Sequence, residues 1–364
     1  MPEFQIRKDH FPTNRLIETP ETEQIPAIVE GEVVVKIDRF SFTANNITYA
    51  AAGDQLGYWQ FFPPSGENTT GWGVIPVWGF ADVVESRAEG IPVGERLFGY
   101  FPPASYLKML PVGVSEQRLI DGAPHRSTLP PGYNSYSRVA AEPGYDSSMD
   151  NERMLLWPLH ITSFCLWDAL QEKDWYGARQ VVILSASSKT SIGLAYALDA
   201  DPDAPPVIAV TSERNLDFVG KLGLYRQCVS YDDLAAIDAD VPTVIVDMSG
   251  NGEVLGRLHS RLDDNMMFCI NVGLTHWDEA APGEGVNKQR SEFFFAPGHI
   301  QKRMKEWGPA GFASRSSTFM RETTLKCRSW LRLKDVEGLD GLAGVYPDVC
   351  EGRVAPDEGI IVKL

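Results

Sequence analysis

The sequence predicts an α/β chain: a β-rich first region, a doubly wound parallel sheet, and a tail that returns to the first region. Three observations carry this reading. Short strand-like runs at residues 32–38, 78–86 and 96–100 are separated by Gly and Pro punctuation, as in a β-barrel or sandwich. From about residue 152, apolar strands alternate with helical stretches, which is the pattern of a parallel sheet with helices on both faces. The last residues, Gly359-Ile360-Ile361-Val362-Lys363-Leu364, read as one more strand. At 364 residues the chain exceeds one ordinary core, so two domains are expected: 1–150 with 311–364, and 151–310.

Taken in order, Glu32-Val33-Val34-Val35-Lys36-Ile37-Asp38 is a β-branched strand. Residues 78–86 form another, and 96–100 follow a turn at Pro92-Val93-Gly94. Residues 127–136 are a loop rich in Pro, Gly and Tyr, and 142–150 are a polar boundary. Large apolar residues recur at helical spacing over 159–171. The alternation then runs strand 181–184, helix 191–198, strand 207–210, helix 216–222, strand 243–246, helix 253–262 and strand 267–272. Residues 291–295 are read as a last strand, followed by a helix over 299–307.

Composition excludes several function classes. The net charge of −16 opposes binding to nucleic acid or to an anionic membrane surface. No apolar run approaches the length of a bilayer span, and Met1-Pro2-Glu3-Phe4-Gln5-Ile6-Arg7-Lys8 lacks the apolar segment of a signal peptide, so a cytoplasmic location is expected. Cys165, Cys228, Cys269, Cys327 and Cys350 are odd in number and contain no C-x-x-C, which argues against a disulfide framework or a zinc ribbon.

The segment with most chemistry is Val181-Val182-Ile183-Leu184-Ser185-Ala186-Ser187-Ser188-Lys189-Thr190-Ser191-Ile192-Gly193: a strand, a turn of small polar residues and the start of a helix. A helix N-terminus after such a turn offers backbone N–H groups to a phosphate. Lys189-Thr190 lacks the glycines of a P-loop.

Several motifs resemble, in order and spacing, the medium-chain dehydrogenase/reductase superfamily across nearly the whole chain. Gly31-Glu32-Val33-Val34-Val35-Lys36 is similar to its opening G-E-V-L-V-K. Phe42-Thr43-Ala44-Asn45-Asn46-Ile47-Thr48 is similar to its G-x-N-P-x-D, and Val93-Gly94-Glu95-Arg96-Leu97-Phe98-Gly99 to its V-G-D-R-V-F-G. Pro158-Leu159-His160-Ile161-Thr162-Ser163 resembles the P-x-x-G-x-T-A entry to the cofactor domain. The serine turn with Val272-Gly273-Leu274-Thr275-His276-Trp277 looks like a branch of that superfamily labelled as a domain of unknown function.

The resemblance implies a GroES-like β-barrel joined to a doubly wound Rossmann sheet, a zinc-independent quinone-oxidoreductase-like activity, NADPH, a small carbonyl substrate and a homodimer. The zinc branch's C-x-G-x-x-H and four-cysteine lobe are absent, so no metal is expected. The turn departs from the family's A-x-G-G-V-G: it is one residue longer and keeps only its last glycine, Gly193. Serines and Thr190 stand in as hydroxyl donors and Lys189 as a charge.

The implied cofactor contacts are Thr162, Ser187, Ser188, Lys189, Thr190 and Ser191. The second strand ends in Thr211-Ser212-Glu213-Arg214, with Thr211 where an NAD site has its ribose-binding acid. Hydroxyls at Thr211 and Ser212 with the Arg214 guanidinium suit a 2′-phosphate, which favours NADPH. Ser249 and Gly273, Leu274 and Thr275 follow the next two strands, where open α/β sheets bind ligands. Reduction of an activated C=C or C=O also needs a donor for the developing negative charge. Tyr49 and Tyr58 are the candidates, with Asn45, Asn46 and His276 lining the substrate pocket. The aromatic run Tyr58-Trp59-Gln60-Phe61-Phe62, Trp72 and Trp78 suits an apolar pocket or core packing, and His160, on an apolar helix, reads as a core histidine. Two rivals stand beside the reductase: a nucleotide-binding sensor that keeps the fold without turnover, and a cleft enzyme using no nicotinamide, for which no G-x-S-x-G is present.

Overall fold

The computed structural model describes residues 3–18, 25–272 and 285–364. The chain divides into one unit of Met1–Leu155 with Arg332–Leu364 and a second of Leu156–Leu331.

The N-terminal section contains β1 (Glu3–Arg7), β2 (Asn14–Ile17), β3 (Val33–Phe42), α1 (Ala44–Ala51), β4 (Trp72–Gly73), β5 (Val77–Ser86), β6 (Arg96–Phe101), β7 (Tyr106–Met109), β8 (Pro111–Val112), β9 (Arg118–Asp121) and β10 (Ser135–Arg138). Helix α2 (Asp150–Glu172) leads to β11 (Gln180–Leu184), α3 (Lys189–Ala200), β12 (Val207–Thr211), α4 (Leu216–Lys221), β13 (Gln227–Ser230), β14 (Thr243–Asp247), α5 (Gly252–Leu262), β15 (Met266–Asn271), β16 (Ser291–Phe293) and α6 (Ala296–Cys327). The chain ends with β17 (Arg332–Glu337), α7 (Gly338–Cys350) and β18 (Glu358–Lys363).

In the first unit the main sheet runs β17-β18-β3-β5-β6-β10-β9-β8, with β7 also paired to β3. The tail does return: β18 lies antiparallel to β3, with Ile360 opposite Phe42. Among the described residues the expected barrel does not close, because neither end strand is suited to a further partner. β17 carries Arg332, Lys334, Asp335 and Glu337 on an exposed edge, and β8 is two residues long and begins with Pro111, which has no N–H for a ladder. The Asn45 segment forms helix α1. Thr43 caps it, accepting from the Asn45 N–H, while the Asn46 side chain accepts from the Thr43 N–H at 2.8 Å.

The second unit is a parallel sheet in the order β13-β12-β11-β14-β15-β16, the 3-2-1-4-5-6 order of a dinucleotide fold. Both faces are covered, which explains why its strands are near-continuous apolar runs. Val182, Leu184, Ile208, Val210 and Ile245 pack with Val254, Leu255, Leu258 and Leu262 of α5. Val181, Ile183, Val207, Val244 and Val246 pack on the other face with Leu166 and Leu170 of α2 and Leu194 and Leu198 of α3. Each such side chain, fully buried, stabilises the fold by about 1.5–3 kcal/mol relative to exposure.

Two helices extend beyond their sequence-based limits. Helix α2 begins at Asp150 and runs through Pro158. That proline has no N–H for the Met154 carbonyl, and the Ser41 hydroxyl donates to it instead at 2.7 Å. Helix α6 is two helical segments joined at Gly308 (φ 73°) and Pro309 and reaches Cys327, so the return to the first unit begins at Arg332 rather than near residue 311. Among the described residues no helix is long and apolar enough to cross a membrane.

Candidate functional site

The turn after β11 is held by its own hydroxyls. Leu184 is in register with Val210 of β12 and Asp247 of β14, so the next residue leaves the sheet at the point where the strand order reverses. That residue, Ser185, has φ 58°, a left-handed conformation that glycine adopts freely and other residues adopt at a cost of about 1 kcal/mol. Its carbonyl accepts from the Ser188 N–H and the Ser191 hydroxyl, each at 2.9 Å. Ser188 is the N-cap of α3: its hydroxyl oxygen accepts from the Ser191 N–H at 3.1 Å and lies 2.8 Å from the Ser191 hydroxyl. The Tyr225 hydroxyl donates to the Ala186 carbonyl at 3.1 Å, and Ser163 of α2 donates to the Thr190 carbonyl at 2.7 Å.

Ser187 is turned toward the neighbouring strand. Its hydroxyl accepts from the Thr211 hydroxyl at 3.2 Å and from the Asn215 amide at 3.0 Å. Thr211 is thereby buried at 1% exposure, so its hydroxyl braces the turn. Ser212 is half-buried, and Arg214 is exposed in the short 3-10 turn Glu213–Asn215. Lys189 and Thr190 open α3, both half-buried, and Thr162 is half-buried on α2. The N-terminus of a twelve-residue helix thus meets a ring of hydroxyls, an arrangement suited to an anion.

The retained glycine has a packing reason. A Cβ at Gly193 would lie 2.5 Å from the Ser163 Oγ and 2.7 Å from the His160 Cδ2, so only glycine lets α3 lie against α2. His160 is fully buried and its Nδ1 is 2.8 Å from the Thr323 hydroxyl of α6. Burial pushes its pKa down to about 3, opposed by a hydrogen bond to the Lys189 backbone. It is a core histidine that pins three helices.

Ser249 accompanies Asp247, a residue the sequence reading passed over. Asp247 ends β14 at 2% exposure, and one carboxylate oxygen accepts from the Ser249 N–H (2.8 Å), the Ser249 hydroxyl (2.6 Å) and the Gly250 N–H (3.2 Å). Burial raises its pKa, and these bonds hold it back. The signal was present as the acid closing the apolar run Val244-Ile245-Val246. Gly273, Leu274, Thr275 and His276 lie outside the described residues.

In the first unit, Tyr49 on α1 and Tyr58 are both buried at 6% exposure, with ring centroids 4.7 Å apart. The Tyr49 hydroxyl accepts from the Trp78 indole N–H at 3.2 Å and interacts with the Asn45 side chain. The Tyr58 hydroxyl is 2.9 Å from that of Tyr133, a residue not singled out from the sequence. Burial raises the pKa of both Tyr49 and Tyr58, so both remain protonated donors at neutral pH. Asn46 is occupied structurally, capping α1 and donating to the Pro76 carbonyl at 2.9 Å. Among the described residues no group of three or more His, Cys, Asp or Glu side chains is placed to hold a metal.

The parallel sheet in this order, opened by a tight turn at its central strand, defines an α/β protein with a Rossmann-type unit. Residues 40–355 match the model of a family described as a protein of unknown function (DUF2855), and the chain belongs to that family. No curated protein matches the chain in sequence. Among solved structures, CurA from Vibrio vulnificus in complex with NADPH matches 100% of this chain and 99% of its own, at 14% identity and a TM-score of 0.65. The CurK enoyl reductase matches 100% and 98%, at 13% identity and 0.56. The yhdH oxidoreductase from Salmonella enterica in complex with NADP matches 100% of both chains, at 15% identity and 0.54. At these identities the likeness is one of fold.

Proposed function

We propose that this protein is a zinc-independent, NADPH-dependent oxidoreductase of medium-chain type that reduces an activated C=C or C=O of a small carbonyl compound in the cytoplasm. The observation that carries the reading is the hydroxyl-lined turn between β11 and α3 at the switch point of a 3-2-1-4-5-6 sheet, with no acid at the end of β12. Fold-alike proteins solved with NADPH or NADP support it.

The residues present fit such a cofactor. Ser185 takes the left-handed conformation that a glycine usually supplies, the helix start is capped by serine, and Ser187 is drawn toward β12. Ser188, Lys189, Thr190 and Ser191 would hold the pyrophosphate, and Ser212 and Arg214 the 2′-phosphate. Ser249 and Thr162 would line the nicotinamide half together with residues 273–275. When bound, NADPH supplies the hydride. The chain's own task is to position the acceptor and steady the negative charge that develops on its oxygen. In this division of labour Leu156–Leu331 is the dinucleotide-binding domain, and Met1–Leu155 with Arg332–Leu364 is a GroES-like substrate domain in which Tyr49 and Tyr58 act as donors beside Asn45. The working form is a homodimer.

The test is thermal stabilisation by NADPH and by NADH, with Arg214→Ala alongside. A ligand bound to the native state raises its stability by mass action. An NADPH shift that is lost in Arg214→Ala is the expected result, and no shift with either nucleotide defeats the reading. One observation favours a non-catalytic nucleotide sensor instead: the Tyr49 and Tyr58 hydroxyls are buried and already bonded to Trp78 and Tyr133. NADPH binding without its consumption across enones and quinones would establish that alternative.

A further inference from the structure

The small sheet of the first unit gathers two arginines on one indole. It runs β2-β1-β4. Gln5 of β1 lies opposite Arg15 of β2, and Arg7 lies opposite Trp72 of β4. Directly opposed residues of antiparallel strands share a face, as do residues two apart in one strand. Gln5, Arg7, Arg15 and Trp72 therefore stand on the same face. The Arg15 guanidinium lies 4.0 Å from the centre of the Trp72 ring, and that of Arg7 lies 5.7 Å from it.

Both guanidiniums are held by the same edge. Arg15 donates to the Gln5 Oε1 from Nε at 3.0 Å and from Nη2 at 2.8 Å, and Nη2 also donates to the Asn68 carbonyl at 3.3 Å. Arg7 donates from Nε and Nη2 to the two carboxylate oxygens of Asp9, at 2.8 and 2.5 Å. Among the described residues neither Nη1 has an acceptor, which leaves each arginine with one unused –NH₂ group.

Arg15 is positioned from beneath. Gln5 is fully buried, and its Nε2 donates to the Glu3 Oε1 at 2.6 Å and to the Ser65 carbonyl at 2.9 Å. The Glu3 Oε1 also accepts from the Ser65 N–H at 2.9 Å. An arginine can only donate, so the Gln5 carbonyl oxygen must face it and the orientation of the amide is fixed. With a buried amide at one edge and an indole across its face, this guanidinium has little freedom left for an ion to remove.

The local charge is unbalanced. Among the described residues no carboxylate bonds Arg15: Glu3 reaches it only through Gln5, and Glu67, on the loop that carries Ser65 and Asn68, is exposed and pairs with neither arginine. Burial lowers the Arg15 pKa, Glu3 raises it, and the Arg7 charge lowers it again. Lys8 adds a third cation, its Nζ 5.3 Å from the centre of the Trp59 ring. In a chain of net charge −16 this is an island of positive charge. Gly71 keeps the Arg7 side clear: its φ is 78°, and a Cβ there would lie 3.2 Å from the Arg7 Nη1. A carboxylate brings one charge, and Arg7 already has one in Asp9. An ion with two charges and several oxygens can accept from both Nη1 groups and relieve the repulsion between the arginines.

We propose that Arg7 and Arg15, stacked on Trp72 and steered by Asp9 and Gln5, form an oxyanion site for free phosphate or for the phosphoryl group of a small phosphomonoester. The site lies wholly within the first unit and stands or falls independently of the reductase reading.

The experiment titrates the full chain with inorganic phosphate, and separately with glycerol phosphate, at an ionic strength held constant with chloride. Amide exchange, read peptide by peptide by mass spectrometry, reports where the ion sits. Slowed exchange in residues 3–17 and 63–73 is expected. Arg15→Gln should raise the half-saturating concentration about tenfold, and Arg15→Lys, which keeps the charge and loses the planar fork, about threefold. Asp9→Asn should lower it about threefold, because the Arg7 Nε and Nη2 are released to the ion. That gain cannot come from misfolding. Tighter binding of inorganic phosphate assigns the free ion and tighter binding of glycerol phosphate the ester; both uphold the site. Protection confined to residues 184–191 would place the ion at the serine turn and overturn the proposal. So would an unchanged titration in Arg15→Gln, or weaker binding in Asp9→Asn.

Discussion

The two units stabilise buried polarity by different means. In Leu156–Leu331 the polar groups of the sheet sit at strand ends and are mostly small hydroxyls bonded to nearby backbone, as in the Ser185–Ser191 turn and the Asp247–Ser249 corner, while Asp168 of α2 pairs with His299 and Arg303 of α6 away from the sheet. In the other unit, charged side chains pair along and beside the main sheet. Arg126 pairs with Asp121, Arg138 with Glu95, Arg153 with Glu142, and Arg96 with Asp38 and Asp82. The lesson is that the parallel sheet is specified by apolar alternation, whereas the antiparallel sheet relies on a few charge pairs, of which Arg126–Asp121 is the most deeply buried. One should fail when volume is added, the other when a charge is removed.

The most disruptive test is Arg126→Ala. Both partners of its pair are almost fully buried, so removing one strands the Asp121 carboxylate. A loss of about 3–5 kcal/mol is expected. Hydrogen exchange should show it in β9 and β10, with β11 and β14 unchanged. Equal loss of protection in both units would break the comparison.

Acid separates the units next. The folded pKa of His160, about 3, lies below its ordinary 6.5, and that of His259 is about 4, both through burial. The unfolded chain therefore takes up these protons first. Their contribution is complete above pH 6.5 and is lost as pH falls toward those values. Asp247, raised by burial, works in the opposite sense near its own range. In the first unit, Asp38 is lowered by Arg96 and Arg39 despite its desolvation, so its contribution persists until pH falls below the ordinary 3.8. Amide protection measured from pH 7 downward should fail in the second unit first. Failure of β3 and β5 ahead of β11 would contradict this.

Added volume is the third probe. Gly193→Val places atoms where Ser163 and His160 already lie, and should cost about 1–3 kcal/mol by denaturant melting, confined to the second unit. The smallest effect is Ser185→Gly, which relieves a left-handed serine and should raise stability by about 0.5–1 kcal/mol. No gain would mean that the Ser185 side chain's interaction with Tyr231 outweighs the strain.

The same contrast governs what the sequence made legible. β11, β12, β14 and β15 were readable because a strand buried on both faces is an unbroken apolar run, and the helices between them are short and periodic. The serine turn was readable because it lies within one stretch of chain. Helix α1 was not read as a helix, because its capping pair is Thr43 with Asn46 rather than with Glu or Gln. The start of α2 was hidden by Pro158, whose lost hydrogen bond is made good by Ser41, far away in sequence. Tyr133, Asn215 and Tyr225 reached the candidate sites through contacts 75, 28 and 39 residues apart, which no local pattern records.

The serine turn has a kinetic consequence. A glycine turn leaves the backbone loose until a ligand arrives. Here Ser185, Ser187, Ser188 and Ser191 cross-link the loop to β12 and α3 through the chain's own hydrogen bonds. An anion arriving at this cradle has little left to order, so its capture should resemble docking to a rigid receptor, with a single-exponential approach whose rate rises linearly with concentration.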